Sequence, residues 1–213
     1  WGRLFPEWGA VRDLPPRDRA HIWTVDRHLV EAAAFASRLT TRVARPDLLL
    51  VGSLLHDIGK GRGGDHSVVG ESVTQQIARR LGFPEPDVAL LGAMVAHHLL
   101  LPHTATRRDL DDPATITRVV DTLAATDGAR KVEGGPGLLL DLLEALAEAD
   151  SLATGPGVWS PWKQTLLAEL GRRCRSALAG ERIGRVPSEP VAPDLMAAVA
   201  AGGRLQVRFS GRN

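Results

Sequence analysis

At 213 residues the chain has room for one moderate domain with extra segments, and an apolar fraction of 44% supplies a real core. A net charge of +1 gives no field that would favour nucleic acid or an anionic membrane. The single cysteine, Cys174, excludes an internal disulfide and suits a reducing, cytoplasmic setting. No apolar run reaches the ~18 residues of a membrane span, and no signal peptide opens the chain. The sequence begins on Trp1 and runs out in Leu205-Gln206-Val207-Arg208-Phe209, a strand-like alternation without a neighbour to pair with. Both ends read as cut from a longer protein.

In chain order, residues 1–16 are rich in Pro and Trp and read as an irregular packing arm. Asp18 is placed to cap a long helix reaching about Val43, with the stripe Val25, Leu29, Ala32, Ala36, Leu39, Val43 at helical spacing. His28 lies beside that stripe, and His21 two turns earlier on much the same face. Pro46 opens a second helix at its first position, where no N–H is needed. Its run Leu48–Leu55 is apolar all round, the pattern of a buried helix. A glycine-rich loop, Gly61-Arg62-Gly63-Gly64, follows, and Asp65 or Ser67 caps a helix over about 66–81 that Gly82 closes. Pro84–Leu101 forms the next, with His97 and His98 near its end and Pro102 behind. Asp112-Pro113 starts a helix through Leu123, another covers Leu138–Ala153, and Ser160-Pro161 starts one to about Ala179, stopped by Gly180. Prolines at 187, 190 and 193 mark a linker, ahead of a short helix over 194–201. The fold class is all-α, about seven or eight helices with a short mixed tail.

The chemistry centres on His56-Asp57-Ile58-Gly59-Lys60, at the end of the buried helix. Gly59 reads as a left-handed helix stop. A carboxylate beside an imidazole at the edge of a core is costly unless its charge is compensated, and a metal ion is the natural compensator. Six of the seven histidines, His21, His28, His56, His66, His97 and His98, fall at helix ends or on inward faces, and Asp150 projects with the stripe of its helix. Taken singly, each such histidine is more often a satisfied core residue, Asp65 a cap, Lys60 a solvated side chain, and Arg107-Arg108 a surface pair. Taken together, mixed imidazole and carboxylate donors suit a hydrolytic divalent metal such as Mn, Mg, Fe or Zn.

The ordered set His28, His56-Asp57, Asp150 resembles the signature of the HD superfamily of metal-dependent phosphohydrolases, and His66 with His97-His98 resembles its two-metal variants. The segments Leu4–Trp8, His21–His28, Gly63–Ser67, Ala105–Leu110, Ala147–Pro156 and Trp159–Lys163 further resemble one branch, the bifunctional uridylyltransferase/uridylyl-removing enzymes of nitrogen regulation. The likeness covers about residues 1–180. It implies an HD-domain helical bundle over 1–180, with 181–213 leading toward an absent ACT regulatory region. It implies one or two divalent metals held by His28, His56, Asp57, His66, His97, His98 and Asp150. In such a site Asp57 bridges the metals and Lys60 points to substrate phosphate.

The implied reaction is removal of a nucleotidyl group, UMP or AMP, from a tyrosine of the PII signal protein. No nucleic acid or membrane enters, and the oligomeric state is left open. The branch also carries a nucleotidyltransferase domain, whose Gly-Ser and Asp-x-Asp pattern is not found here; Gly52-Ser53 sits inside the buried helix as core packing. His21 is a candidate to orient a ligand, and Arg107 and Arg108 to meet phosphate or the partner's surface. Two rivals share the metal signature: an HD hydrolase acting on a free nucleotide such as guanosine tetraphosphate, and a non-catalytic HD scaffold.

Overall fold

The computed structural model describes residues 5–181. Among them the α-helices are α1 Val25–Ala36, α2 Pro46–Leu55, α3 His66–Arg80, α4 Glu85–His97, α5 Leu100–Arg107, α6 Pro113–Ala125, the single-turn α7 Asp127–Arg130, α8 Gly135–Thr154 and α9 Pro161–Leu178, and no strand occurs. Residues 1–4, most of the expected linker, the helix over 194–201 and the strand-like run over 205–209 lie outside the described residues.

Helix starts follow local chemistry. Proline occupies the first turn of α2, α6 and α8, and of α9, where its missing N–H is no loss. Side-chain caps hold three of the starts: Asp65 accepts from the Ser67 N–H at 2.8 Å, Asp112 from Ala114 at 3.0 Å, and Ser160 from Lys163 at 3.2 Å.

The larger core surrounds α8, whose Leu139, Leu140, Leu142 and Leu146 are wholly buried, with α1, α2 and α9 packed against it. A second cluster joins Phe5, Trp8 and Val11 of the N-terminal arm to Val25 and Leu29 of α1, Leu55 and Ile58 after α2, and Val73 and Ile77 of α3. The arm is a short 3-10 turn, Pro6–Ala10, clamped to α3 by the two-pronged pair between Arg80 and Glu7, at 2.9 and 2.6 Å. The end of α2 therefore runs between two apolar clusters. Leu55 and Ile58 anchor it in one of them, and the two residues between, His56 and Asp57, are held inside the protein.

Four details depart from the sequence reading. First, α1 starts at Val25 and not near Asp18. Asp18 closes a local turn on the Ala20 N–H, while the Ile22 N–H bonds Thr154 O and the Val25 N–H bonds Leu14 O; these tertiary bonds hold residues 15–24 off the helix. α1 also ends at Ala36. The next turn is 3-10, where the Ser37 and Thr40 hydroxyls bond carbonyls three residues back.

Second, the helix expected over 84–101 breaks at His98-Leu99 into α4 and α5. Pro102 is the cause, since a proline ring displaces the carbonyl four residues earlier, here that of His98. By length and composition alone, Glu85–Arg107 is apolar enough for a membrane crossing, contrary to the sequence expectation. It is broken, and over half of its apolar window is buried within the fold, as in a core helix.

Third, Gly59 is not left-handed; the positive-φ glycines of this stretch are Gly61, Gly63 and Gly64. Gly59 is required by contact, because a Cβ there would lie 2.0 Å from His66 O and 2.6 Å from Gly70 N. Fourth, the single turn α7 carries no sequence signal and is fixed by its packing on α4.

Candidate metal centre

Five elements converge on one point. α1 brings His28, the end of α2 brings His56 and Asp57, the start of α3 brings His66, the end of α4 brings His98, and α8 brings Asp150. Their donor atoms fall into two groups of three, His28–His56–Asp150 and Asp57–His66–His98, each within a 4.8 Å span.

In the first group His28 Nε2 lies 2.9 Å from Asp150 Oδ1 and 3.3 Å from His56 Nε2, and His56 Nε2 lies 3.6 Å from Asp150 Oδ1. In the second, His66 Nε2 and His98 Nε2 lie 3.6 and 3.7 Å from Asp57 Oδ1. The two oxygens of Asp57 divide their attention. Oδ1 faces His66 and His98, while Oδ2 faces His56 at 3.6 Å and the Lys60 ammonium at 2.5 Å.

Backbone carbonyls orient two of the rings. His56 Nδ1 bonds Ser53 O at 2.8 Å, and His98 Nδ1 bonds Val95 O at 2.6 Å. In each case the partner is three residues back, one of the carbonyls that a helix end leaves unpaired. With Nδ1 engaged there, Nε2 is the ring nitrogen turned toward the cluster. The ring of His21 packs edge-on against His28, 4.9 Å between centroids. His21 reaches this position from the loop before α1, not from the helix expected for it.

The electrostatics are those of a place built for positive charge. Asp57 is 3% exposed and His28 and His56 1% each. Burial alone would raise the Asp57 carboxyl, but His56 and Lys60 hold it down to about 2. Burial likewise opposes ionisation of Asp150, and its bonds to His28 and His56 keep it well below the usual carboxylate range. Burial pushes His56 down, yet Asp57 and Asp150 outweigh it and lift the imidazole to about 9. His98 receives less support: burial and then the charge on His56 press it down to about 4.

The donor set fits a divalent ion on two counts. It mixes imidazole nitrogen with carboxylate oxygen, and Asp57 Oδ1 is a buried oxygen without a hydrogen-bond donor among the described residues. A buried acceptor of that kind is costly unless something electropositive meets it.

His97 is in neither group. Successive helix residues point about 100° apart, so only one member of the doublet can face the cluster. The His97 ring turns to Thr126, with Nε2 3.1 Å from its hydroxyl, and burial holds its pKa down. Arg107 and Arg108 likewise line a different cavity, together with His97.

The cavity above the cluster encloses about 330 Å³. Asp57, Lys60, His28 and His66 form its inner wall, and Arg17, His21 and Trp23 belong to the loop that walls the other side. Sequence reasoning missed Arg17 and Trp23. Neither sits in a periodic pattern, and only the tertiary bonds of residues 15–24 bring them over the site.

A family model described as "HD domain" matches residues 25–126. The chain is 55% identical over 213 residues, its full length, to 25% of the "Bifunctional uridylyltransferase/uridylyl-removing enzyme" of Mycobacterium tuberculosis. Proteins of the same name from Streptomyces coelicolor and Gluconobacter oxydans are 52% and 39% identical over 179 and 198 residues, each across 84% of the chain and 20% and 19% of the relative. The chain thus spans about a quarter of the length of the curated relatives it matches.

Proposed function

This chain belongs to the HD-domain family, and from that membership we propose that it is the hydrolytic part of a larger uridylyltransferase/uridylyl-removing enzyme. In this reading it removes a nucleotidyl group, UMP or AMP, from a tyrosine of a PII nitrogen-signal protein in the bacterial cytoplasm. Residues 1–180 would be the hydrolase domain, and 181–213 the lead-in to a regulatory region. The observation that carries the reading is the pair of donor groups meeting at Asp57 on the wall of a cavity, in a chain whose full length is similar to a quarter of one such enzyme.

His28, His56 and Asp150 would hold one divalent ion, and Asp57, His66 and His98 a second, with one Asp57 oxygen turned toward each group. Ions held there acidify a water and polarise phosphoryl oxygens. The bond to break joins phosphorus to the tyrosine oxygen; water adds to phosphorus and the tyrosine leaves with a proton. Lys60 lines the cavity with its ammonium on Asp57, where it can meet charge developing on the phosphoryl oxygens without ligating an ion. Arg17 lines the same cavity and serves the substrate's phosphate. His97 keeps a place in this proposal only as the residue that fixes the α4 corner through Thr126.

The test is release of nucleotide from PII carrying UMP or AMP, run beside free guanosine tetraphosphate and a cyclic dinucleotide, with metal content measured on the same protein. Release from modified PII alone upholds the reading. Turnover of a free nucleotide alone replaces it with the general HD hydrolase, and metal-free, inactive protein replaces it with the scaffold.

A further inference from the structure

On the opposite face of the α4–α5 corner lies a second cavity, of about 590 Å³, between α5 and α6. α5 lays Leu100, His103, Thr104 and Arg107 along it, at the i, i+3, i+4, i+7 spacing of one helix face, and α6 adds Thr115, Arg118 and Val119 in the same manner. Arg108 lines it too. Among the described residues no carboxylate lines this cavity.

Arg173 and Arg175 on α9 each pair with two acidic side chains, and Arg45 with Asp47 and Asp87. The side chains of Arg107, Arg108 and Arg118 have no such partner among the described residues, although acidic residues lie next to them in sequence. Those are engaged elsewhere: Asp109 accepts from the Asp111 N–H, Asp111 pairs with Arg173 at 2.7 Å, and Asp112 caps α6. Three guanidinium groups thus line one hollow, and none of them has an acidic partner among the described residues. Like charges gathered this way repel one another, and guanidinium groups in a cluster are the usual means of holding phosphate. The threonine hydroxyls add donors, while Leu99, Leu100 and Val119 supply an apolar floor.

We propose that this cavity binds a phosphate-bearing small molecule of the nucleoside polyphosphate class, at a site separate from the hydrolytic centre. The phosphates lie against Arg107, Arg108 and Arg118, and the apolar floor takes the remainder. His97 lines the same cavity, so the ligand sits one residue away from His98 of the cluster.

ATP serves as the probe, titrated calorimetrically into the full chain in chelator, with tripolyphosphate as competitor and uridine as the uncharged control. ATP should bind, tripolyphosphate should displace it, and uridine should not bind. The exposed double variant Arg107→Ala/Arg118→Ala should bind ATP at least ~10-fold more weakly, and the charge reversal Arg118→Glu should do the same, with circular dichroism unchanged in both. Lys60→Ala, in the other cavity, should bind ATP as the parent does. Absence of ATP binding to the parent overturns the proposal, as does binding lost in Lys60→Ala but kept in the double variant. If the arginine variants lose affinity only for modified PII, the patch is a protein-docking surface and the small-ligand proposal is overturned too.

Discussion

The two donor groups differ in how firmly the fold holds them. His28, His56 and Asp150 come from α1, α2 and α8, which pack on one another, and both imidazoles are fully enclosed. Asp57, His66 and His98 share one carboxylate, and His66 leaves 31% of its side chain open at the mouth of a glycine-rich loop. The proton affinities follow the same line: His56, between two carboxylates, is lifted to about 9, whereas His98 is pressed down to about 4. The first group is a preformed nest for positive charge within the core. The second is the more open of the two through His66, although both reach the cavity, the first by His28 and the second by Asp57 and His66.

The substitution that strikes both groups has the largest expected effect. Asp57→Asn removes the one carboxylate among the described residues that faces both, so metal content should fall well below the parent's and release of nucleotide should be undetectable. The sequence alone suggests that the metal-free fold gains from losing a buried charge. The structure reverses that sign, because Asp57 balances His56 and Lys60. A neutral amide in its place leaves those cations poorly matched, at a cost on the order of 1–3 kcal/mol, seen as a lower melting temperature in chelator. Hydrolysis retained in this variant would end the catalytic reading.

One ligand from each group tests how firmly the fold holds it. His66→Ala should lose one ion while its melting temperature in chelator stays that of the parent. His28→Ala should lose an ion and also melt earlier in chelator, because it leaves a void beneath α8. Equal behaviour of the two would erase the distinction drawn between the groups. Lys60→Ala comes next: full metal content with turnover lower by ~10–1000-fold, the scale of one lost transition-state contact. Metal lost together with activity would make Lys60 structural. Asp65→Asn should change least, keeping most activity, because Asp65 caps the first turn of α3, where it accepts from the Ser67 N–H, and Asn caps about as well as Asp. A loss comparable to that of Asp57→Asn would place Asp65 in the site.

Much of this arrangement was legible beforehand where local rules act alone. Pro46, Asp65, Asp112 and Ser160 start helices where the sequence says they should, and the apolar run ending at His56-Asp57 is buried as its pattern requires. What was not legible depends on contacts distant in sequence. The lip over residues 15–24 is held by Thr154 O and Leu14 O, which no helical period announces. Gly59 is needed because the backbone at His66 and Gly70 comes close, a demand that composition cannot distinguish from a left-handed turn. The His97-His98 doublet offers two rings, and the kink imposed by Pro102 decides which one meets Asp57.

The donors come from residues as far apart as His28 and Asp150, and this bears on how the protein acquires its ion. In the unfolded chain His56, Asp57 and His66 are near neighbours, whereas bringing in Asp150 requires closing most of the domain, a slow event by topology. An ion present from the start can be gripped by the local trio, or by the adjacent His97-His98 pair, before α1 and α8 have docked. Such misligated chains must release it to proceed. Refolding in chelator followed by metal addition should therefore be faster and more complete than refolding with metal already present. The order of folding and loading would then be a property of the ligand spacing.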